Sequence, residues 1–434
     1  MLECATRVRR GQAGLLWRAV LCALLVLTGA CPLGCRLRAD DLDTALRRST
    51  EGYRFRFLDW ELHHLLRKGR LSPEGSEALA ADHDARALME HYLALTSYTV
   101  ARRAQLRSAE AEGNPADGDL AALRLEVANL DGRLQAMSDA VESVLARQIR
   151  AALAGLSIHN PADRWVDSGI GFPPVWSEIT QPPHVLVVSP RTEIIRSREV
   201  MLVPALTVAE MQEMEAEVEA LGYSALVVRV GGFGGLYPSL VAESSSLSFL
   251  VEAVTEEWLH QYLAFTPLGF RYVLDLLRIA RSYEVATLNE TVAGIVSAEV
   301  GRQVLATYYP EHLPSEAEET SPPTGGTGFS YSREMRSIRL RVDDLLAAGQ
   351  VEEAEAHMEE RRQYLGSQGY HIRKLNQAYF AFYGTYAAEP TSVDPIGEEV
   401  RLLMSRSDSL SDFLNRMVAI TSRAELRGAL GLAP

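Results

Sequence analysis

Three residues that could hold a metal ion and move a proton lie close together in the segment TEEWLHQYL: Glu256, Glu257 and His260. The surrounding apolar pattern predicts a helix. On a helix, residues 256 and 260 lie one turn apart on the same face, whereas residue 257 points to one side. The apolar neighbours predict that the acids are buried, and buried acids need partners, of which a cation is the simplest. The spacing therefore suits a metal site with a general base beside it.

A further acid, Glu290, follows about thirty residues later in TLNETVAGIVSAEVG. EEWLH at 256–260 followed by NETVA at 289–293 resembles the gluzincin zinc metallopeptidases, in which HExxH precedes a glutamate on a second helix. The resemblance covers roughly residues 224 to 305. The chain looks particularly like the bacterial putative aminopeptidases of that group, because LNQA at 375–378 matches their LNxA stretch.

The resemblance implies a role for each motif residue. Glu256, His260 and Glu290 would be the metal ligands, and Glu257 would be the general base and proton shuttle. The expected cofactor is zinc and the expected partner is a peptide or protein substrate. The implied reaction is attack of water on a peptide carbonyl that the metal polarises.

The chain departs from the gluzincin motif at its first ligand, where Glu256 stands in place of histidine. Two carboxylates and a neutral imidazole cancel the charge of a divalent ion, whereas two imidazoles and one carboxylate leave a positive site. Less residual charge acidifies bound water less, so we expect slower hydrolysis. The additional oxygen ligand also shifts the metal preference somewhat towards manganese or iron.

A peptidase also needs a donor for the oxyanion of its tetrahedral intermediate. The segment GYHIRKLNQAYFAFYGTYA offers Tyr379 and Tyr383 as candidates, although aromatic residues at this spacing are more often part of a core. The glycine-rich run VGGFGGLYPSLVAE, at 230–243, lacks the lysine of a phosphate-binding loop. It predicts a bent or edge strand, which could bind an extended peptide.

Other interpretations of these residues remain open. The acids could be exposed on an ordinary helix with a half-buried His260. Glu257 and His260, with Glu61 and His64 at the same spacing, could belong to a ferritin-like di-iron site, but the strands before the motif argue against this. The main alternative to an enzyme is a catalytically inactive gluzincin-like module that binds or scaffolds other molecules outside the cytoplasm.

The sequence pattern around these residues predicts the elements that must position them, and together these elements make a predominantly helical α+β fold. Residues 40–160 read as a helical hairpin region, because apolar residues recur in steps of three and four. Residues 175–310 read as an α/β region with a small mixed sheet and the two motif helices, which would form the metallopeptidase-like core. A polar, proline-rich loop at 311–328 separates this core from a helical C-terminal region at 329–434.

Within the middle region, three short runs rich in β-branched residues, at 184–188, 198–203 and 224–230, predict strands. Two apolar helices are expected next, over about 246–265 and 270–304. The first of these would carry the motif acids and the second Glu290.

Composition excludes several functions. The 434 residues include 43 basic and 57 acidic side chains, and the net charge of −14 disfavours nucleic-acid binding. All four cysteines lie between Cys4 and Cys35, so cysteine nucleophiles and cysteine zinc sites are excluded from the body of the protein. The chain has only two lysines, which excludes most lysine-based chemistry.

The N-terminus reads as an export signal. Arginines precede an uncharged stretch from Ala19 to Cys35, so residues 1–36 are predicted to be a signal peptide or a transmembrane anchor. The arginine bias places the N-terminus in the cytoplasm and the body outside it. Attachment of a lipid to Cys31 or Cys35 is a third possibility. The sequence carries no indication of oligomeric state.

Overall fold

The computed structural model describes residues 41–57, 59–60, 82–112, 117–161, 171–277, 279–313, 329–384 and 395–433. It confirms the predominantly helical α+β fold, since 64% of the structure is helical and the described residues form 13 helices and two three-stranded sheets. The chain divides into a unit that ends at Arg47 and a unit that runs from Arg48 to the C-terminus. Helix α1, Asp41–Ser49, is the first described element.

Two long helices form the N-terminal hairpin of the second unit: α2, Asp82–Glu112, and α3, Asp117–Gly155. Each buries one stripe of apolar residues, which includes Tyr92 on α2 and Leu145 and Ile149 on α3. These residues belong to the same core as the motif helices. The hairpin therefore packs on the body of the protein and forms one wall of its main core.

The first sheet contains the three strands that the β-branched runs predict: β2, His184–Pro190, β3, Arg198–Leu202, and β4, Tyr223–Arg229. Its order is β3-β2-β4, and all pairs are antiparallel. Helix α4, Val208–Glu219, connects β3 to β4 and begins with a capping box at Thr207. Strand β2 is buried along nearly its whole length, which is why it reads as a continuous apolar run.

The second sheet is smaller and contains β1, Ser177–Ile179, β5, Gly232–Phe233, and β6, Ser239–Val241. Its order is β1-β6-β5, with β1 parallel and β5 antiparallel to the central strand β6. The glycine-rich run thus supplies an edge strand, as expected from the sequence.

Three helices follow the second sheet: α5, Leu247–Leu263, α6, Pro267–Leu276, and α7, Tyr283–Tyr308. A serine or threonine caps the start of each, because the side chains of Ser246, Thr266 and Ser282 accept backbone N–H groups.

The prediction of one helix over 270–304 was wrong. The chain leaves α6 after Leu276 and begins α7 at Tyr283. The carboxylate of Asp275 accepts the N–H of Ser282 at 2.8 Å, and the hydroxyl of Ser282 caps the new helix. Because the connecting sequence contains no glycine or proline, the break has no strong sequence signal.

The C-terminal region forms two groups of helices. Helices α8, Tyr331–Ala347, and α9, Val351–Ser367, pack against each other around a separate small core, and α10, Gln377–Tyr383, packs on the first sheet. The last three helices are α11, Ile396–Ser405, α12, Leu410–Met417, and α13, Arg423–Ala429. These three join the main core, together with α5 and α7.

Residues 1–36, predicted as a signal peptide or membrane anchor, lie outside the described residues, as does most of the predicted 311–328 loop. In the part of the chain that is described, no helix is long and apolar enough to cross a membrane. The expectation of a transmembrane helix is corrected accordingly. The long helix α3 has sufficient length, but it carries charged residues throughout.

Candidate metal centre

Helices α5 and α7 bring the predicted metal ligands together. Leu259 and Leu263 on α5 and Leu288 and Val292 on α7 are fully buried in the main core, so the two helices are packed side by side. Residues 285 to 293 of α7 are all buried, so this part of the helix is covered on every side, and Glu290 faces α5, because its Oε2 atom lies 3.5 Å from Nε2 of His260. The packing of α5 against α7 thus brings the polar side chains of Glu256, His260 and Glu290 together.

Glu256, His260 and Glu290 each offer one ligand atom, and these three atoms lie within 4.8 Å of one another. The Nε2 atom of His260 is 3.5 Å from Oε2 of Glu290. Two ligand atoms on a tetrahedral zinc ion are separated by about 3.4 Å, because the bonds are about 2.1 Å long. Glu290 is 6% exposed, whereas Glu256 and His260 are half-buried. The group could hold a metal ion that remains reachable from solvent.

Asn289 orients the imidazole of His260. Its Oδ1 atom lies 2.8 Å from Nδ1 of His260, and Asn289 is completely buried. A proton on Nδ1 that is donated to this oxygen leaves the Nε2 lone pair available as a metal ligand. The amide nitrogen of Asn289 is buried and has no hydrogen-bond partner among the described residues. An amide that leaves a donor unpaired is unusual in a core, and the oxygen of this amide is directed at a candidate ligand.

Glu257 lies under the glycine-rich edge strand. A Cβ atom at Gly232 would come within 2.1 Å of Oε1 of Glu257, and one at Gly234 within 2.8 Å of Oε2. The N–H of Gly234 also donates a hydrogen bond to Glu257. Glycine at both positions is therefore required for this carboxylate to lie between α5 and β5, beside the three candidate ligands.

Tyr272, on α6, is a site residue that the sequence reasoning missed. Its hydroxyl donates a hydrogen bond of 2.5 Å to Oε1 of Glu290. Its ring centroid lies 6.0 Å from that of His260. The only sequence signal was its position between the two motif helices, and a single tyrosine in an apolar stretch is not distinguished by that position.

The pKa values of Glu256 and Glu257 are raised, which favours the protonated forms of these two acids. Burial raises the pKa of Glu256 to about 7 and that of Glu257 to about 8, because the loss of water disfavours a negative charge. The positive form of His260 opposes both shifts, while the neighbouring carboxylates add to them.

The pKa of His260 is raised and that of Glu290 is lowered, so both of these residues favour their charged forms. Burial on its own would lower the pKa of His260, but the carboxylates of Glu290, Glu257 and Glu256 raise it to about 10. Burial would also raise the pKa of Glu290, but His260 and Tyr272 hold it below its usual range, with a further contribution from Arg196. Without a metal ion, His260 therefore carries the positive charge that these acids share.

The two tyrosines proposed as oxyanion donors lie on α10. Their rings are 4.5 Å apart, and both pack on the apolar cluster against the first sheet. Tyr379 and Tyr383 belong to that packing, and their catalytic role stays a prediction. The second Glu-x-x-His pair, Glu61 and His64, lies outside the described residues.

The LNQA stretch has a structural role in this fold. The side chain of Asn376 accepts the N–H of Tyr379 at 2.9 Å and so caps α10. It also donates to the carbonyl of Ala225 on β4 at 2.9 Å, and Gln377 donates to the carbonyl of Arg191. These contacts fasten α10 to the first sheet.

Comparisons with protein-family models, with curated proteins and with solved structures each found no match. The resemblance to the gluzincins therefore rests on the motif residues and stays a prediction. The geometry alone assigns a group of two carboxylates and one imidazole that could bind a metal ion, with a third carboxylate beside it.

Proposed function

We propose that this protein is a metal-dependent peptidase of the gluzincin type. The observation that supports this most is the convergence of Glu256, His260 and Glu290 within 4.8 Å, with Glu257 held next to them under an edge strand. Three protein ligands, an adjacent carboxylate and a strand at the edge of a sheet suit the hydrolysis of an extended peptide.

Each residue has a separate task in the proposed reaction. Glu256, His260 and Glu290 would hold zinc, or manganese or iron in view of the oxygen-rich ligand set. When bound, the metal would polarise the peptide carbonyl and make a water molecule more acidic. Glu257 takes the proton of the attacking water and returns it to the leaving amine. Asn289 holds His260 in the tautomer that presents Nε2.

A second candidate is a non-catalytic module that binds a metal ion and uses the half-buried edge strand β5 to bind another chain. The carboxylate of Glu256 favours it, because a ligand set of two carboxylates and an imidazole neutralises a divalent ion and weakens it as a Lewis acid.

Elemental analysis combined with a hydrolysis assay tests the proposal. The purified full chain should contain about one zinc, manganese or iron ion and should cleave a mixture of short fluorogenic peptides. Glu257→Gln should retain the metal and lose about 10²- to 10⁴-fold in kcat, because the proton acceptor is removed. Glu252→Gln is the matched control, since Glu252 is a half-buried acid one turn before Glu256 on the same helix. It should keep about half or more of the activity.

The outcomes separate the two candidates. Bound metal with no turnover that depends on Glu257 would contradict the peptidase and support the binding module. A chain that binds none of the three metals would contradict both.

A further inference from the structure

The two carboxylate oxygens of Glu290 have different partners. Oε2 faces Nε2 of His260 at 3.5 Å, on the side where the candidate ligand atoms meet. Oε1 accepts the hydroxyl hydrogen of Tyr272 at 2.5 Å. One oxygen is thus directed towards the other ligands, and a strong neutral donor holds the second.

The position of Tyr272 is determined by a tightly packed corner between α5 and α6. A Cβ atom at Gly269 would come within 2.1 Å of the backbone of Leu263, so the start of α6 lies directly against the end of α5. The N–H of Leu268 also donates to the carbonyl of Val418 at 3.1 Å. The start of α6 is therefore fixed by the backbone of Leu263 and by the carbonyl of Val418. Because Tyr272 follows only a few residues later on α6, its ring is held next to Glu290.

We propose that Tyr272 is a positioning residue that keeps Glu290 a ligand through one oxygen only. This inference rests on the metal site of the proposed function. A carboxylate can also bind a metal through both of its oxygens, which would use a further coordination position. A hydrolytic site must keep one position open for water or substrate. The hydrogen bond from Tyr272 occupies Oε1 and so keeps that position open.

The same hydrogen bond offsets part of the effect of Glu256. A donor on the outer oxygen of Glu290 draws electron density away from the metal-facing oxygen, so that ligand donates less charge to the ion. The ligand set contains two carboxylates, so weaker charge donation by one of them restores part of the Lewis acidity that a second histidine would have provided. Tyr272 therefore acts on the metal through Glu290 and needs no contact with the substrate.

Cobalt titration of the full chain tests this role, with Co²⁺ alone as the probe. Four-coordinate Co²⁺ absorbs visible light more strongly than five- or six-coordinate Co²⁺, so the absorbance per bound ion reports the coordination number. In Tyr272→Phe, Glu290 loses the hydrogen bond that fixes its direction, and we expect this loss of orientation to outweigh the stronger charge donation and to lower the Co²⁺ affinity about 10- to 100-fold. We also expect a weaker visible absorbance per bound ion, because Glu290 then binds through both oxygens.

Tyr308→Phe is the matched control. Tyr308 lies on α7 and, like Tyr272, is half-buried against the main core. Its variant should bind Co²⁺ with the affinity and absorbance of the unmodified chain. Circular dichroism of both variants checks the fold. If Tyr272→Phe is unfolded, Tyr272→Leu replaces it, because leucine also removes the hydroxyl donor and keeps an apolar side chain, and it should show the same weaker absorbance per bound ion.

Three results would overturn the inference. An unchanged absorbance per bound ion in Tyr272→Phe, with or without a loss of affinity, contradicts the control of coordination number. An equal change in Tyr308→Phe shows that the loss of any core hydroxyl has the same effect. Failure of the unmodified chain to bind Co²⁺ refutes the metal site, and with it both this role and the proposed function.

Discussion

Buried carboxylates occur in two regions of the second unit that differ in their surroundings. On α4, Glu215 is 1% exposed and accepts the N–H of Val227 at 2.7 Å. Both of its oxygens also meet cations: Arg373 donates to them at 2.5 and 2.9 Å, and Lys374 at 3.2 Å. The negative charge of this region is fully balanced by side chains of the same chain.

At the candidate metal centre, three acids share much less positive charge. Glu256, Glu257 and Glu290 surround one imidazole, that of His260, and Arg196 acts on Glu290 electrostatically. Arg196 is itself paired with Glu199 at 3.1 Å. A cluster with this surplus of acids is stable only if protons or an external cation balance it.

The comparison distinguishes a buried acid that the fold itself pairs with cations from buried acids that lack enough cationic partners. Glu215 is a structural acid, because its hydrogen-bond partners lie elsewhere in the same fold and it ties α4 to strand β4 and to the segment before α10. The acids on α5 and α7 are incompletely balanced by cationic side chains, which is what the proposed metal site requires. The following predictions test that difference, from the largest expected effect to the smallest.

Loss of the imidazole should have the largest effect on metal binding. His260→Ala removes one of three ligands and the nearest cationic group, so we expect the Zn²⁺ affinity to fall on the order of 10³-fold, about 4 kcal/mol. Isothermal titration calorimetry measures this. His312→Ala, which removes an imidazole from the short 3₁₀ helix Pro310–His312 that follows α7, should bind Zn²⁺ as the unmodified chain does. Equal affinities in the two variants would refute the ligand assignment.

Addition of metal should stabilise the fold. A ligand that binds only the native state at 100 times its Kd raises the free energy of unfolding by about 2.7 kcal/mol. Urea unfolding of protein from which a chelator has removed metal, measured with and without added Zn²⁺, gives the increase. The increase should persist in Arg373→Ala, because that change affects the other cluster, and should disappear in His260→Ala. A Zn²⁺ effect that survives His260→Ala would place the binding site elsewhere.

Removal of a cation from the Glu215 cluster should destabilise the protein without affecting the metal. Arg373→Ala leaves Glu215 with Lys374 and one backbone donor, and we expect a loss of about 2 kcal/mol in the free energy of unfolding. Arg362→Ala, which breaks an exposed pair with Glu359, should cost less than about 0.5 kcal/mol. Similar losses in the two variants would show that burial does not distinguish the pairs.

The smallest effect is expected for the residue that orients His260. Asn289→Ala removes the hydrogen bond to Nδ1, so the imidazole loses its preferred tautomer and direction. We expect about a tenfold loss of Zn²⁺ affinity, about 1.4 kcal/mol. A calorimetric titration that shows an unchanged affinity would refute the role of Asn289.

Much of the site could be predicted from local patterns. The spacing of Glu256 and His260 places them on one face of any helix, and the β-branched runs lie in strands β2, β3 and β4. The glycine-rich run could be recognised as an edge strand. The sequence did not show why glycine is needed in this run, because only the fold shows that Gly232 leaves room for the carboxylate of Glu257.

Contacts between distant segments could not be predicted in this way. Tyr272 had no motif to identify it, and the break between α6 and α7 depends on a hydrogen bond from Ser282 to Asp275. Arg373 is separated from Glu215 by 158 positions, so no local pattern relates them.

The sequence by itself determined which residues could bind a metal and on which helix face they lie, because helical periodicity is a local property of the backbone. The tertiary structure decided which of the buried acids are already balanced by the fold, since that depends on side chains that packing brings together from far along the chain. Glu215 and Glu290 are both acids within helices, and what distinguishes them is the set of partners that surrounds each in the folded protein.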